Sequence, residues 1–425
     1  MRIEIPKQVE WILAQLQEHG YEAFAVGGCV RDTLLGREPE DWDITTSAKP
    51  EEVKRIFGKT IDTGLKHGTV TVLKNGAGYE ITTYRIDGEY EDGRHPKTVE
   101  FTSNLQEDLK RRDFTINAMA YSHETGIVDR FGGMEDLDRH IIRCVGNAEE
   151  RFTEDALRIL RALRFSAQLG FTIEEETFSA LSVIAPNLAH VSKERIQAEL
   201  TKTLLSPHPE QIFLTEETGM APFISKAFPH VLEMWEKAAD GTFAERRTPE
   251  VCRITQPQCM GALQLKKAAG LKADKALRYA AFFSPVEEAA AAAVLKELKM
   301  DNDTISRVKT LVKWFPLPLP TERPALRKVM STMSGELFDS LMELKITMAP
   351  ETGEETGQAE ALAASIREDG DCLRLKDLAV DGADLIKAGI KPGPQLGKIL
   401  EKLFEQVLIH PEYNRKDYLL RHLEE

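Results

Sequence analysis

Asp41 and Asp43 stand one residue apart in the run Asp41-Trp-Asp-Ile-Thr-Thr-Ser47. Two adjacent glycines, Gly27 and Gly28, lie a short way upstream in Phe24-Ala-Val-Gly-Gly-Cys-Val-Arg-Asp-Thr-Leu-Leu-Gly36. On an extended strand, i, i+2 spacing puts both carboxylates on one face and turns Trp42 to the other. Two hard oxygen ligands on a rigid edge suit Mg²⁺, which takes a few carboxylates, keeps water and accepts phosphate oxygens. Gly27 and Gly28 let backbone N–H groups approach phosphate closely. The helix from Cys29 onward points its positive end the same way, and Arg31 adds a fixed cation. Each half is common by itself, since Gly-Gly turns abound and most D-x-D runs are solvated loops. Their order on strand, turn, helix and strand describes a seat for a polyphosphate beside divalent metal.

A second constellation lies downstream, where Asp155, Arg158, Arg161 and Arg164 recur every three residues on a helix predicted over Ala148 to Leu169. Successive members sit about 60° apart and about 4.5 Å along the axis, a slanting ridge rather than one face. Alone, it reads as a solvated helix with an i, i+3 Asp–Arg pair. Beside a nucleotide site it reads differently. Cytosine and adenine present an amino donor next to a ring-nitrogen acceptor, whereas uracil and guanine present the opposite pattern. An acceptor from Asp155 and a donor from Arg158 would welcome C and A and leave unpaired groups against U and G. Arg161 and Arg164 would then lie along the triphosphate or the incoming base.

With Arg111-Arg-Asp-Phe-Thr-Ile-Asn-Ala118 and Glu154-Asp-Ala-Leu-Arg158 added, the ordered set G-G-x-V-R-D, D-x-D, R-R-D and E-D-x-x-R resembles the class II tRNA nucleotidyltransferases. These are the CCA-adding enzymes of the polymerase β superfamily, with the bacterial poly(A) polymerases as relatives. The dense part of the resemblance covers roughly residues 22 to 200. It implies an α+β protein: a polymerase β-like nucleotidyltransferase head with a mixed β-sheet, followed by an all-α neck, body and tail. It also implies base reading by Asp155 and Arg158, with Arg112 at the position that contacts nucleotide. Asp113 is read as the acceptor for the ribose 2′-hydroxyl. Asp41 and Asp43 are the catalytic metal ligands, and Glu80 is the candidate third carboxylate by its place on the strand Tyr79 to Tyr84.

The function so implied is addition of C, C and A to the tRNA 3′ end from CTP and ATP, without a template, by two-metal Mg²⁺ transfer that releases pyrophosphate. An A-only adding enzyme or a bacterial poly(A) polymerase is the alternative. The partners implied are the tRNA acceptor arm, CTP and ATP, with homodimerisation left open. The polar run Tyr84 to Pro96 resembles the family's flexible loop, which favours an enzyme able to add A. Many relatives carry Arg-Arg where this chain has Arg94-His95. The run Lys391-Pro-Gly-Pro-Gln-Leu-Gly397 feeds a helix N-terminus, and Lys387, Lys391 and Lys398 add charge there, a candidate RNA contact.

Composition frames these readings. The chain has 425 residues, long enough for two to four domains, and a formal charge of −14, which excludes a uniformly basic RNA-binding surface. An acidic total still permits a basic groove, because the local field binds phosphate. The absence of a long apolar run or signal pattern leads us to expect a cytoplasmic protein with no membrane partner. The five cysteines, Cys29, Cys144, Cys252, Cys259 and Cys372, lack metal-ligand spacing and read as reduced thiols.

Residues 7–19 read as a helix. Phe24–Val26, Trp42–Thr45, Thr69–Leu73, Tyr79–Tyr84, Val99–Thr102, Ala118–Tyr121 and Ile141–Val145 read as strands. Strand signals stop near residue 147. The expected division is head 1–147, neck 148–205, body 206–315 and tail 316–425, with Pro316 to Pro324 as the candidate linker.

Overall fold

The computed structural model describes residues 2–88, 99–238 and 260–423. The chain divides into two compact units, one of residues 1–263 with 297–299 and the other of 264–296 with 300–425.

The first unit opens with helix α1 (Lys7–Glu18), whose Val9, Ile12, Leu13 and Leu16 fall on one stripe and are buried. Each such side chain withdraws apolar surface worth about 1.5–3 kcal/mol from water. Strand β1 (Ala23–Val26) is buried along its whole length, as an unbroken apolar run in a central strand should be. It feeds α2 (Gly28–Leu34), and β2 (Ile44–Thr46), α3 (Pro50–Ile56), β3 (Thr60–Gly64), β4 (Thr69–Lys74) and β5 (Ala77–Thr83) follow. A short hairpin pairs β6 (Arg85–Asp87) with β7 (Val99–Phe101). After α4 (Leu105–Lys110), strands β8 (Met119–Ser122) and β9 (Gly126–Asp129) complete a seven-stranded sheet of order β3-β4-β5-β2-β1-β8-β9. Only β2 and β5 run parallel, so the sheet is mixed, as expected.

Helix α5 (Gly133–Asp138) and strand β10 (Ile141–Ile142) close the head, and α6 (Ala148–Glu154) and α7 (Leu157–Leu169) follow. Three sequence expectations need correction here. The single helix over 148–169 is two helices, broken at Asp155, whose φ of −145° and ψ of 101° are extended. Strand structure also does not end at 147, because β11 (Thr172–Ile173) pairs in parallel with β10. Both are two residues long, too short to leave a periodic signal. Strands β3 and β9 were not anticipated, being short strands at the two sheet edges with no buried stretch to mark them. Helices α8 (Glu175–Ile184) and α9 (Lys193–Leu204) pack next, α9 against α7.

The second unit is helical, from Lys275–Phe282 to Lys416–Arg421. The proline-rich stretch expected to be a linker lies inside this unit. Buried Lys345 donates from Nζ to the carbonyls of Phe315 and Leu317, both at 2.6 Å, and Leu319 is buried. Near the C-terminus the rings of His410, Tyr413, Tyr418 and His422 stack in one column, with centroids 4.7, 4.3 and 4.2 Å apart. Among the described residues, no helix is long and apolar enough to cross a membrane.

Candidate active site

The turn that leaves β1 is built on Gly27, whose φ of 83° a side chain would strain. Its N–H is taken by the carbonyl of Met119 at 3.1 Å, so Gly27 contributes conformation and closeness rather than a free donor. A Cβ at Gly27 would lie 3.0 Å from Arg112 Nη1. The N–H groups free to meet a ligand are those of the first turn of α2, starting at Gly28. Arg31 is buried and spoken for within the protein. It donates from Nη1 to Asn117 Oδ1 at 2.6 Å and from Nε and Nη2 to Asp32 at 3.0 and 2.9 Å.

Asp41 and Asp43 stand on the extended approach to β2 rather than within the strand. The ladder still reaches Asp43, because Val26 N–H donates to its carbonyl at 3.0 Å. Both carboxylates are exposed, while Trp42 packs against the cluster formed by α1, α3 and the sheet, the expected alternation of faces. Cys29, buried beneath the turn, donates from Sγ to Val26 O at 3.4 Å and lies 3.9 Å from Asp43 O. Burial pushes its thiol up to about 12.

Glu80 on β5 stands one step before Ile81, the parallel partner of Ile44, and so lies alongside Asp43. The surrounding protein, then the charge of Asp41, push the Asp43 carboxyl up to about 6. Glu80 adds to the rise and Arg112 opposes it. Uncompensated negative charge of this kind is what a divalent cation relieves. Among the described residues, no group of three or more His, Cys, Asp or Glu side chains converges to hold one ion. Asp41 and Asp43 therefore fit a cation that completes its shell with water and phosphate, as Mg²⁺ does.

Arg112 sits opposite, its Nη1 beside Gly27 and its Nη2 3.6 Å from Asp108. Its neighbour Asp113 is turned inward and 7% exposed. It accepts from Asn117 Nδ2 at 3.1 Å and Arg161 Nε at 2.7 Å. Burial works against its charge, yet the Arg161 guanidinium and the Asn117 hydrogen bond hold the carboxyl well below its ordinary range.

Asp155 does not share a helix with Arg158, contrary to the ridge read from the sequence. It occupies the break between α6 and α7, where its Oδ1 caps Leu157 N–H at 3.1 Å. Its partner is Arg195 on α9, which donates from Nη1 and Nη2 at 3.2 and 2.7 Å. Arg158 turns to Glu154 Oε2 at 2.6 Å, Arg151 O at 2.8 Å and Arg111 O at 3.1 Å. Arg164 is buried against Glu199 at 2.8 Å, and burial pulls its guanidinium down to about 10. The ring of Phe165 lies under three cations, Arg164 at 4.1 Å, Arg31 at 5.0 Å and Arg161 at 5.4 Å.

The structure thus gathers Gly27, Gly28, Arg31, Asp41, Asp43, Glu80, Arg112 and Asp113 around one turn, with Arg158 joined to it through Arg111 and Arg161 through Asp113, while Asp155 is held by Arg195 and Arg164 by Glu199. Sequence reading missed Asn117, Asp108, Arg195, Glu199 and Phe165: Asn117, Arg195 and Glu199 take partners far along the chain, and Asp108 and Phe165 join near neighbours to the distant Thr45 and Arg31. In the second unit, Lys387 and Lys391 are exposed before the helix Pro394–Ile409 and Lys398 is exposed near its start. Lys398 and Lys402 border a groove of about 430 Å³ that ends on His422. The centre of the expected flexible loop, including Arg94 and His95, and the cysteines Cys252 and Cys259 fall outside the described residues.

Three family models match. "Poly A polymerase head domain" spans residues 23–143, "Probable RNA and SrmB- binding site of polymerase A" spans 170–229, and "tRNA nucleotidyltransferase domain 2 putative" spans 273–423. The CCA-adding enzyme of Limosilactobacillus reuteri is 38% identical over 417 residues, covering 97% of this chain and 95% of that protein. The CCA-adding enzyme of Geobacillus kaustophilus is 52% identical over 219 residues, 51% of this chain and 54% of its own. The crystal structure of the Bacillus stearothermophilus CCA-adding enzyme in complex with CTP superposes with a TM-score of 0.76 at 32% identity, covering 99% of this chain and 97% of that one. A relative matched nearly end to end and a fold shared along the whole chain agree with the site. The chain belongs to the class II CCA-adding enzymes, the tRNA nucleotidyltransferases of the polymerase β superfamily.

Proposed function

We propose that this chain adds C, C and A in order to the 3′ end of tRNA, drawing on CTP and ATP and using Mg²⁺. The observation that carries the reading is the Asp41/Asp43 pair facing Arg112 across the Gly27 turn, with the Asp43 carboxyl driven up first by the surrounding protein and then by the charge of Asp41. Two bound Mg²⁺ ions would acidify the attacking 3′-hydroxyl and neutralise the departing pyrophosphate. The protein's own part is positioning. The first turn of α2 and Arg112 hold the triphosphate, and β2 fixes the carboxylates relative to both. Glu80, beside Asp43 on β5, is the candidate third carboxylate and adds to the negative charge that Asp43 feels.

Base choice falls to Asp155 and Arg158. Arg195 occupies one edge of the Asp155 carboxylate, and an ionised carboxylate has acceptor capacity left for the amino group of C or A. Arg158, steered by Glu154, supplies the donor to the ring nitrogen. Asp113 acts by fixing Arg161, and a ribose contact would need that pair to open. We assign residues 1–147 to the head, which holds the whole seven-stranded sheet, and 148–205 to the base-reading neck. Residues 206–315 form the body and 316–425 the tail, where Lys387, Lys391 and Lys398 meet tRNA phosphates.

The test is incorporation of labelled CTP or ATP, with Mg²⁺, into a tRNA lacking its last three nucleotides and into one ending in CC. Ordered C, C and A on the first is the expected result. A on the second with no C on the first would mean an A-only enzyme, and a long run of A a poly(A) polymerase.

A further inference from the structure

Asp108 on α4 is 0% exposed, although it carries a carboxylate. Its Oδ1 accepts from Arg111 Nε at 3.0 Å and Nη2 at 2.8 Å, and from the backbone N–H of Arg85 at 3.4 Å. Its Oδ2 accepts from Thr45 Oγ1 at 3.2 Å and stands 3.6 Å from Arg112 Nη2. A buried carboxylate persists only when it is paired and hydrogen-bonded. Here burial opposes the charge, and the guanidiniums of Arg111 and then Arg112 hold it below its ordinary range.

The arrangement is asymmetric. Two guanidiniums face the one carboxylate, and Arg112 also lies within the field of Asp43 and Asp113. Arg111 spends Nε and Nη2 on Asp108. Arg112 makes only the longer approach, and its buried Nε has no hydrogen-bond partner among the described residues. An unpaired buried donor beside a glycine turn is a place where an anionic ligand completes the structure. The other attachments of Asp108 lead to elements that flank the same site. Thr45 lies on β2, two residues beyond Asp43, and Arg85 is the root of the β6–β7 hairpin.

We infer that Asp108 is a positioning residue for nucleotidyl transfer: it holds Arg112 against the Gly27 turn for the incoming polyphosphate and ties that arginine to the strand approach carrying Asp43. The inference rests on the nucleotidyl-transfer reading above and adds a residue that touches neither substrate nor metal.

The test compares full-length wild type with Asp108→Asn, Arg112→Gln and the double variant, measuring kcat and KM for CTP on tRNA lacking its terminal CCA. Asp108→Asn is expected to raise KM about tenfold with kcat changed less than about threefold, because it loosens substrate binding more than the chemical step. The double variant is expected to match Arg112→Gln alone, since the two residues act as one unit. A folded Asp108→Asn protein with unchanged KM, or effects that multiply independently, would overturn the proposal. If Asp108→Asn does not fold, Thr45→Val keeps every charge and removes one donor to the carboxylate. It should raise KM by about threefold, and an unchanged KM overturns the proposal equally. A wild type that adds no nucleotide would sink the function itself, whereas an active wild type with silent variants would sink only the role of Asp108.

Discussion

Asp43 shows how one side chain's surroundings link stability to chemistry. Its folded-state value of about 6 lies above the ordinary 3.8, so the native state binds that proton more tightly than the unfolded chain does. The stabilisation is complete below 3.8 and is lost as pH rises through about 6, which leaves the ionised site at a disadvantage without metal. Asp43→Asn should therefore raise the metal-free Tm at about pH 8 and give no gain at about pH 3.5. The same substitution should cut nucleotide addition by at least about a thousandfold and abolish the rise in Tm that Mg²⁺ gives the wild type. Thermal melts with and without Mg²⁺ at the two pH values, alongside a turnover assay, check all three outcomes. A Tm at pH 8 unchanged by the substitution would mean that the negative charges there are already compensated.

Elements decide where reading from sequence stops. The β1–turn–α2 unit and the approach to β2 were legible because short-range signals agree: a buried apolar run, paired glycines, and alternation that sends Trp42 into the core. The break between α6 and α7 was not legible. The residues on either side of Asp155 include good helix formers, and the extended backbone there is held by Arg195, 40 residues away. Tertiary pairing overrode local propensity, as it also did in pairing Asp113 with Arg161 across 48 positions. Arg195→Met frees the Asp155 carboxylate to rotate, so kcat/KM for CTP should fall about tenfold while incorporation of UTP relative to CTP rises. Competition between labelled UTP and CTP on one tRNA acceptor measures the ratio. A slower enzyme with an unchanged ratio would assign Arg195 to packing alone.

Across the whole molecule, the charge of −14 and the RNA substrate are reconciled by separating tasks. The arginines that line the site in the first unit are committed: Arg31 to Asp32, Arg161 to Asp113, Arg164 to Glu199 and Arg195 to Asp155. Lys387, Lys391 and Lys398 of the second unit are exposed and form no ion pair among the described residues, which leaves them available to a phosphate backbone. Replacing all three with alanine should weaken tRNA binding by about tenfold to a hundredfold while leaving KM for CTP within about twofold, since phosphate contacts add affinity without touching the nucleotide. Filter binding with tRNA, paired with nucleotide titrations at saturating tRNA, separates the two effects. Equal tRNA affinity in the variant would move the RNA contact elsewhere on the chain.

The burial of Cys29 has a practical consequence. A thiol with its proton held up to about 12, sealed beneath the Gly27 turn, reacts with an alkylating reagent only when that turn comes apart. In a variant whose other four cysteines are serine, the labelling rate of Cys29 becomes a clock for breathing of the catalytic turn. Saturating CTP with Mg²⁺ should slow that clock, reporting occupancy of the site without a single turnover.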